Sequence, residues 1–227
     1  MSNAGFRIKS SFMRPDKELI EAFRGIPVAN IADCMNRSAC LSSFIKPVNK
    51  APLLGSAFTV RSSGGDNLLF HKALDLAKPG DVLVIADGGT PERSCCGELM
   101  VQYAISRGIA GFIVDGCIRD SGELAELDFP VYAKGATPNG PYKNGPGEIN
   151  LPVSCGGMVI CPGDILVGDA DGVAVIKPDE ARELADAARK VLVKETGVME
   201  GILSGKGLGD RSWIDKALIE KGCEFID

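Results

Sequence analysis

The sequence predicts a single α/β domain with a barrel-like or sandwiched sheet. Three observations carry that expectation. Short apolar runs recur at Leu53–Arg61, Val82–Ala86 and Ala110–Asp115. Stretches with helical spacing of apolar residues lie between them. No G-x-G-x-x-G follows any strand, which argues against a doubly wound dinucleotide-binding sheet. The 227 residues are enough for one large domain. Residues 1–227 are therefore read as one domain, with 178–227 a C-terminal helical extension.

The elements follow in order. Pro15–Arg24 reads as a first helix, and Ile26–Met35 as a second with Pro27 at its start. Leu53–Arg61 alternates as a strand does. Asp66 or Asn67 can cap a helix to about Ala77, with Leu69, Ala73, Leu76 and Ala77 on one face and His71 near the core side. Pro79-Gly80-Asp81 turns the chain into the strand Val82–Ala86. Gly97–Arg107 is a helix stopped by Gly108. Ala110–Asp115 is continuously apolar before its acid, as in a strand buried on both faces. Phe129–Ala133 is a short strand. Ala136–Asn150, with three prolines and three glycines, is a long loop or wide hairpin. Leu151–Ile160 and Ile165–Ile176 add strands, the latter broken at Asp169–Gly172. A last helix runs from Pro178 to about Met199. Its apolar stripe is Ala181, Leu184, Ala185, Ala188, Val191 and Leu192, and the next member is Glu195. Either the helix has left the core by then, or this carboxylate has a task.

Composition narrows the function. Apolar residues make up 45% and charged residues 24%, the balance of an ordinary globular protein. The net charge of −5 and the lack of a basic run argue against nucleic acid or anionic membrane as partner. No stretch approaches the roughly 20 apolar residues of a membrane helix, and Met1–Arg7 has no apolar signal core, so a cytoplasmic location is expected. Eight cysteines contain no C-x-x-C pair and there is one histidine, so a zinc site is not expected. Reduced, mostly buried thiols are. Gly201–Gly207 imitates a phosphate loop but is one residue short and lacks the Ser or Thr that holds magnesium.

One constellation survives. In Val114-Asp115-Gly116-Cys117-Ile118-Arg119-Asp120 a buried strand ends in an acid, turns on glycine and presents Arg119 and Asp120 from a loop. Strand ends are where α/β sheets place ligands. Arg119 can fork onto a carboxylate or an enolate oxygen. Asp120 offers a hard oxygen for Mg2+ or Mn2+. The same two residues read equally well as a surface ion pair and a cap for a helix at Gly122–Leu127. In Gly97-Glu98-Leu99-Met100 a helix opens, and its free first amides can hold an anion. Glu98 would repel that anion unless a metal ion stands beside it.

These runs, with Gly65-Asp66-Asn67-Leu68, Pro79–Val84 and Pro162-Gly163-Asp164 through Asp171-Gly172-Val173, resemble the 4-hydroxy-4-methyl-2-oxoglutarate aldolases. That family also holds proteins similar to regulator of ribonuclease activity A (RraA-like). The resemblance covers about Ile31 to Glu195. It implies a central strand barrel sandwiched by helices, like the swivelling phosphohistidine domain, and a homotrimer or homohexamer. It implies a divalent cation, Mg2+ or Mn2+, served by Asp120. It places a 2-oxo acid carboxylate on the amides of Gly97, Glu98, Leu99 and Met100, with Arg119 on the substrate. It gives Glu98, and Glu195 from a neighbouring subunit, to water near the metal. The implied reaction is cleavage of a C–C bond next to a 2-oxo acid through a pyruvate enolate, with oxaloacetate decarboxylation by the same route.

Two rivals stand beside it. A Schiff-base aldolase needs a reactive lysine, for which Lys134 and Lys177 are the candidates at strand ends. A non-catalytic regulator would bind a ribonuclease or helicase. Arg93 could take a distal carboxylate or form an ordinary exposed salt bridge.

Overall fold

The computed structural model describes residues 3–226. Its strands are β1 (Phe6–Ile8), β2 (Lys46–Pro47), β3 (Leu53–Ser62), β4 (Asp81–Ala86), β5 (Gly111–Ile118), β6 (Val131–Ala136), β7 (Gly147–Ile149), β8 (Val153–Cys155), β9 (Met158–Ile160), β10 (Ile165–Asp169) and β11 (Gly172–Ile176). Its helices are α1 (Lys17–Glu21), α2 (Val28–Cys34), α3 (Leu68–Leu76), α4 (Glu98–Ser106), α5 (Ser121–Ala125), α6 (Ala181–Leu203) and α7 (Trp213–Glu220).

The chain divides into two compact units, Met1–Ala188 and Arg189–Asp227. The first is a mixed α/β unit built on a nine-stranded sheet. The order β1-β7-β3-β4-β5-β6-β2 forms its path, and β10 pairs with both β3 and β11. Strands β3, β4, β5 and β6 run parallel. Every residue of β4 and β5 is buried, as the apolar run at Ala110–Asp115 predicts for the first part of β5. Among the described residues the path runs from β1 to β2 with no pair joining its ends.

Three apolar clusters fill the unit. Phe70, Phe112 and Phe129 meet edge to face where α3, α4 and α5 cover the sheet. Val84, Ile113 and Tyr132 face the β8–β9 hairpin. Phe23 and Ile31 pack with β10, β11 and the first turns of α6. The apolar stripe of α6 is buried only at Ala181, Leu184, Ala185 and Ala188, and Glu195 is exposed. The second unit holds the rest of α6 and the separate helix α7, none of whose residues is buried.

The structure differs from the expected elements in several places. Strand β5 continues through Gly116, Cys117 and Ile118, where the sequence suggests a loop. Both edges of that stretch find partners far away in sequence: the Arg119 amide donates to Cys96 O at 2.9 Å, and Thr137 N donates to Ile118 O at 2.9 Å. A register shift between Val114 and Cys117 marks a bulge against β6, the irregularity that re-aims a strand near its end. Within Ala136–Asn150, the last residues form β7, a strand shared by β1 and β3. His71 is exposed rather than near the core, because the buried face of α3 is Leu69, Phe70, Ala73 and Leu74.

Candidate active site

Strand β5 delivers Arg119 and Asp120 to the N-terminus of α4. The strand stops because Asp120 adopts a left-handed conformation, φ +56°, which Asp tolerates better than most residues. That turn decides what the carboxylate does. Asp120 precedes α5 but makes no side-chain cap for it. Its Oδ2 instead accepts the Glu98 amide at 3.0 Å, so it caps α4 across 22 residues of chain. The same device recurs at α2, whose Val28 amide donates to Asp169 Oδ2 at 2.9 Å. Asp120 therefore has a structural task beside any metal it serves. Arg119 Nε lies 3.7 Å from the same oxygen, with both side chains partly exposed.

Gly97 permits this close meeting. Its φ of −153° is ordinary extended backbone. A Cβ there would overlap Asp120 Oδ2 and stand 2.9 Å from Arg119 Cγ. Among the described residues the Leu99 amide has no acceptor, so the positive end of α4 keeps a donor for a ligand.

A cleft of about 280 Å³ opens at this helix start. Its wall includes Gly97, Leu99, Met100 and Arg119, and adds Asn67, His71, Cys96 and Lys143, which the sequence analysis gave no task at the site. Asn67 is buried. Its Nδ2 donates to Cys95 O at 2.9 Å, while Oδ1 has no partner among the described residues. A buried polar atom of that kind is completed by water or a ligand. Partial desolvation against the cleft wall, with the Lys143 ammonium nearby, holds His71 below the usual imidazole range. Burial and the Asp120 carboxylate push the Cys96 thiol up to about 12, so it is no thiolate nucleophile at neutral pH. No carboxylate lines the cleft. A second opening, of about 380 Å³, is lined by Arg119, Asp120, Ser121 and Ala136–Pro138. Arg119 is thus a wall common to both.

Several expected partners do not gather here. Glu98 is half-buried on the first turn of α4 and is absent from the wall of either opening. Glu195 belongs to the second compact unit, and the resemblance gave it to the site of a neighbouring subunit, not to that of its own chain. Asp115 sits inside β5, where its Oδ2 accepts the Gly156 amide at 2.9 Å and Lys134 pairs with its Oδ1. Lys177 Nζ pairs with the buried Asp164 at 2.6 Å. Both lysines considered for Schiff-base chemistry are therefore tied to carboxylates. Arg93 is also spent: it donates to Gly140 O at 2.8 Å and Tyr142 Oη at 2.7 Å, and stacks on the Tyr142 ring. It braces a loop instead of facing a ligand.

The donor set can be tested against a divalent cation. Among the described residues no group of three or more His, Cys, Asp or Glu side chains converges. Asp120 and Glu98 are hard oxygen donors, and magnesium commonly takes one or two carboxylates with the remaining places left to water and substrate. The residues fit such a cation. All eight cysteines are free, four of them buried.

Comparison with known proteins agrees with this architecture. The family model described as RraA-like, Aldolase/RraA, matches residues 28–175. A Halalkalibacterium halodurans protein named "Putative 4-hydroxy-4-methyl-2-oxoglutarate aldolase" is 39% identical over 202 residues, 88% of this chain and 96% of that protein. The crystal structure of Streptomyces coelicolor RraAS2, described as an unusual member of the RNase ES inhibitor RraA family, is 29% identical with a TM-score of 0.74, covering 82% of this chain and 98% of that one. The RNA-processing inhibitor RraA from Thermus thermophilis is 30% identical with a TM-score of 0.61, covering 66% and 92%. On sequence and architecture together, the chain belongs to the RraA-like aldolase/RraA family.

Proposed function

We propose that this protein is a metal-dependent lyase, a class II aldolase that cleaves a C–C bond of a 2-oxo acid through a pyruvate enolate. The reaction is of the 4-hydroxy-4-methyl-2-oxoglutarate aldolase type, with oxaloacetate decarboxylation as a second outlet of the same enolate. One observation carries the reading: the amide end of α4, Arg119 and Asp120 meet beside a cleft whose wall has no carboxylate. The name borne by the 39% identical relative supports it.

In this proposal the substrate carboxylate sits on the amides at Gly97–Met100, where the helix dipole favours it. Arg119 donates to the 2-oxo oxygen and gains strength as that oxygen becomes an enolate. Asp120 would hold Mg2+ or Mn2+, with Glu98 as the second hard oxygen donor, and the cation would supply Lewis-acid stabilisation of the developing enolate charge. Glu98, with Glu195 from a neighbouring subunit of a homotrimer or homohexamer, positions the water that carries the proton of the substrate hydroxyl. The protein works in the cytoplasm and needs neither nucleic acid nor membrane. Among its described residues no helix is long and apolar enough to cross one.

The test is turnover of oxaloacetate and 4-hydroxy-4-methyl-2-oxoglutarate, followed by release of pyruvate. Activity is expected to vanish with a chelator and return with Mg2+ or Mn2+. Lack of turnover of either acid, with metal supplied, would leave the second reading. That reading is a regulator of a ribonuclease or helicase, and kinship with the Thermus RNA-processing inhibitor favours it.

Gly97→Ala probes the geometry directly. The new methyl must displace Asp120 or Arg119, because it overlaps the carboxylate oxygen. Pyruvate release is expected to fall roughly ten- to a hundredfold, the usual result of moving reacting groups by about 1 Å. A variant as active as the parent would mean that Arg119 and Asp120 need not hold this arrangement.

A further inference from the structure

The wall of the cleft is assembled from pieces far apart in the chain. Gly97, Leu99, Met100 and Arg119 form one part, Asn67 and His71 a second, and the segment with Gly140 and Lys143 a third. We propose that Asp66 is a positioning residue of this cleft: its buried carboxylate fastens the third piece to the second, so that the wall stands ready before a ligand arrives. This inference rests on the reading of the cleft as a 2-oxo acid site, and it concerns none of the groups that meet the reacting atoms.

The bonding of the carboxylate is the first argument. Asp66 is 3% exposed and enters no ion pair among the described residues. A buried charge without a counter-ion is costly unless hydrogen bonds satisfy it. Three amides do so here. Oδ1 accepts Leu68 N, the first amide of α3, at 2.9 Å. Oδ2 accepts Asn144 N and Gly145 N at 2.5 and 3.0 Å, from 78 and 79 residues away. The local bond needs no charge, since Asn and Ser make the same kind of turn. The two distant bonds need a second acceptor oxygen, which neither Asn nor Ser has. The loop, and not the helix, is what requires a carboxylate at this position.

The loop itself is the second argument. Residues 138–146 contain three prolines and two glycines, and none of residues 134–146 is buried. No core side chain anchors the segment, so hydrogen bonds must hold it. Tyr142 N donates to Gly65 O at 2.8 Å, and Tyr142 O accepts Asn67 N at 3.0 Å. Arg93 clamps Gly140 O and Tyr142 Oη from the outer side. Asp66 supplies the charge on the buried side, where its bonds are sheltered from competing water. A segment held in this way loses little freedom when a ligand binds; once released, it must be ordered as the ligand binds.

The chemistry is held by other bonds. Asp120 Oδ2 on the Glu98 amide and Arg119 N on Cys96 O do not involve Asp66. Re-ordering of the wall weighs equally on bound substrate and on transition state, so loss of Asp66 raises KM and leaves kcat.

Asp66→Ser and Asp66→Asn test this. Both keep an oxygen for Leu68 N. Serine leaves the two loop amides without a partner, and asparagine turns its own N–H groups toward them. With Mg2+ present, KM for oxaloacetate is expected to rise roughly tenfold in either variant, the effect of ordering about one loop residue on binding, with kcat within about threefold of the parent. Hydrogen exchange read by mass spectrometry should quicken in the peptide covering residues 139–146 and stay unchanged across β4 and β5. A fall in kcat at unchanged KM, an unchanged KM with quickened exchange, or a loop as protected as in the parent overturns the assignment. So does failure of both variants to fold, which makes Asp66 part of the frame. In each of these cases the parent still turns over oxaloacetate and the 2-oxo acid reading survives. A parent protein that turns over no 2-oxo acid overturns both.

Discussion

Replacing Arg119 by lysine is expected to lower pyruvate release from oxaloacetate by roughly 10²- to 10³-fold while the fold stays intact. The magnitude is that of removing one donor aimed at a developing oxyanion. Lysine keeps the charge but not the planar fork, and it cannot place two parallel N–H groups on adjacent oxygens. Stability should hardly change. The guanidinium is 45% exposed, and its nearest acidic partner, Asp120, is 3.7 Å away and also partly exposed. Ion pairs of that kind contribute about 0–1 kcal/mol. The contacts that do hold this residue are made by its backbone, through Cys96 O, and survive any side-chain change. Steady-state rates and melting curves of Arg119→Lys and Arg119→Ala decide the matter. A lysine variant within threefold of the parent rate would remove Arg119 from the chemistry. A large loss of melting temperature would move it into the structural frame.

The parts of this site that were legible in the sequence are those set by local chemistry. β4 and the first part of β5 are continuous apolar runs, and only a strand covered on both faces takes such a run. Gly97 and Gly108 bracket α4 as a helix start and stop should. What could not be read was set by distant partners. Nothing in Gly116-Cys117-Ile118 says strand rather than loop; Cys95 N reaching Cys117 O and Thr137 N reaching Ile118 O make it one. Local rules place Asp120 as the cap of its own helix. The left-handed turn sends its carboxylate to α4 instead. Lys143 and Asn67 carry no periodic signal at all, and only the pinning of their loop by Asp66 and Gly65 brings them to one wall. β1 and β2 are too short to announce themselves, and α7 buries no stripe by which a helix would be recognised.

The cap that Asp120 makes and the cation proposed for it yield the second large effect, and two substitutions separate them. Asn keeps an acceptor oxygen for the Glu98 amide and tolerates the left-handed φ of +56°. It loses the negative charge that a hard divalent cation requires. Asp120→Asn is therefore expected to melt within about 2 °C of the parent, since no contact in the frame is lost. Its pyruvate release should nonetheless fall at least about a hundredfold, and its affinity for Mn2+ should drop with it. Ala keeps neither property. It leaves the Glu98 amide without its cap, at about 1 kcal/mol, and adds about 1–2 kcal/mol for a left-handed residue with a Cβ. In a chain of this length the sum lowers the melting temperature by about 5–10 °C. Both variants should be inactive, and only the alanine variant should be destabilised. If asparagine retains activity, Asp120 serves the frame alone and the cation must be held elsewhere. If alanine melts like the parent, the reach of Asp120 across to α4 contributes nothing to the fold. Metal binding and melting thus report on different atoms of one side chain: Oδ2 on the Glu98 amide, and the charge that the whole carboxylate presents beside Arg119.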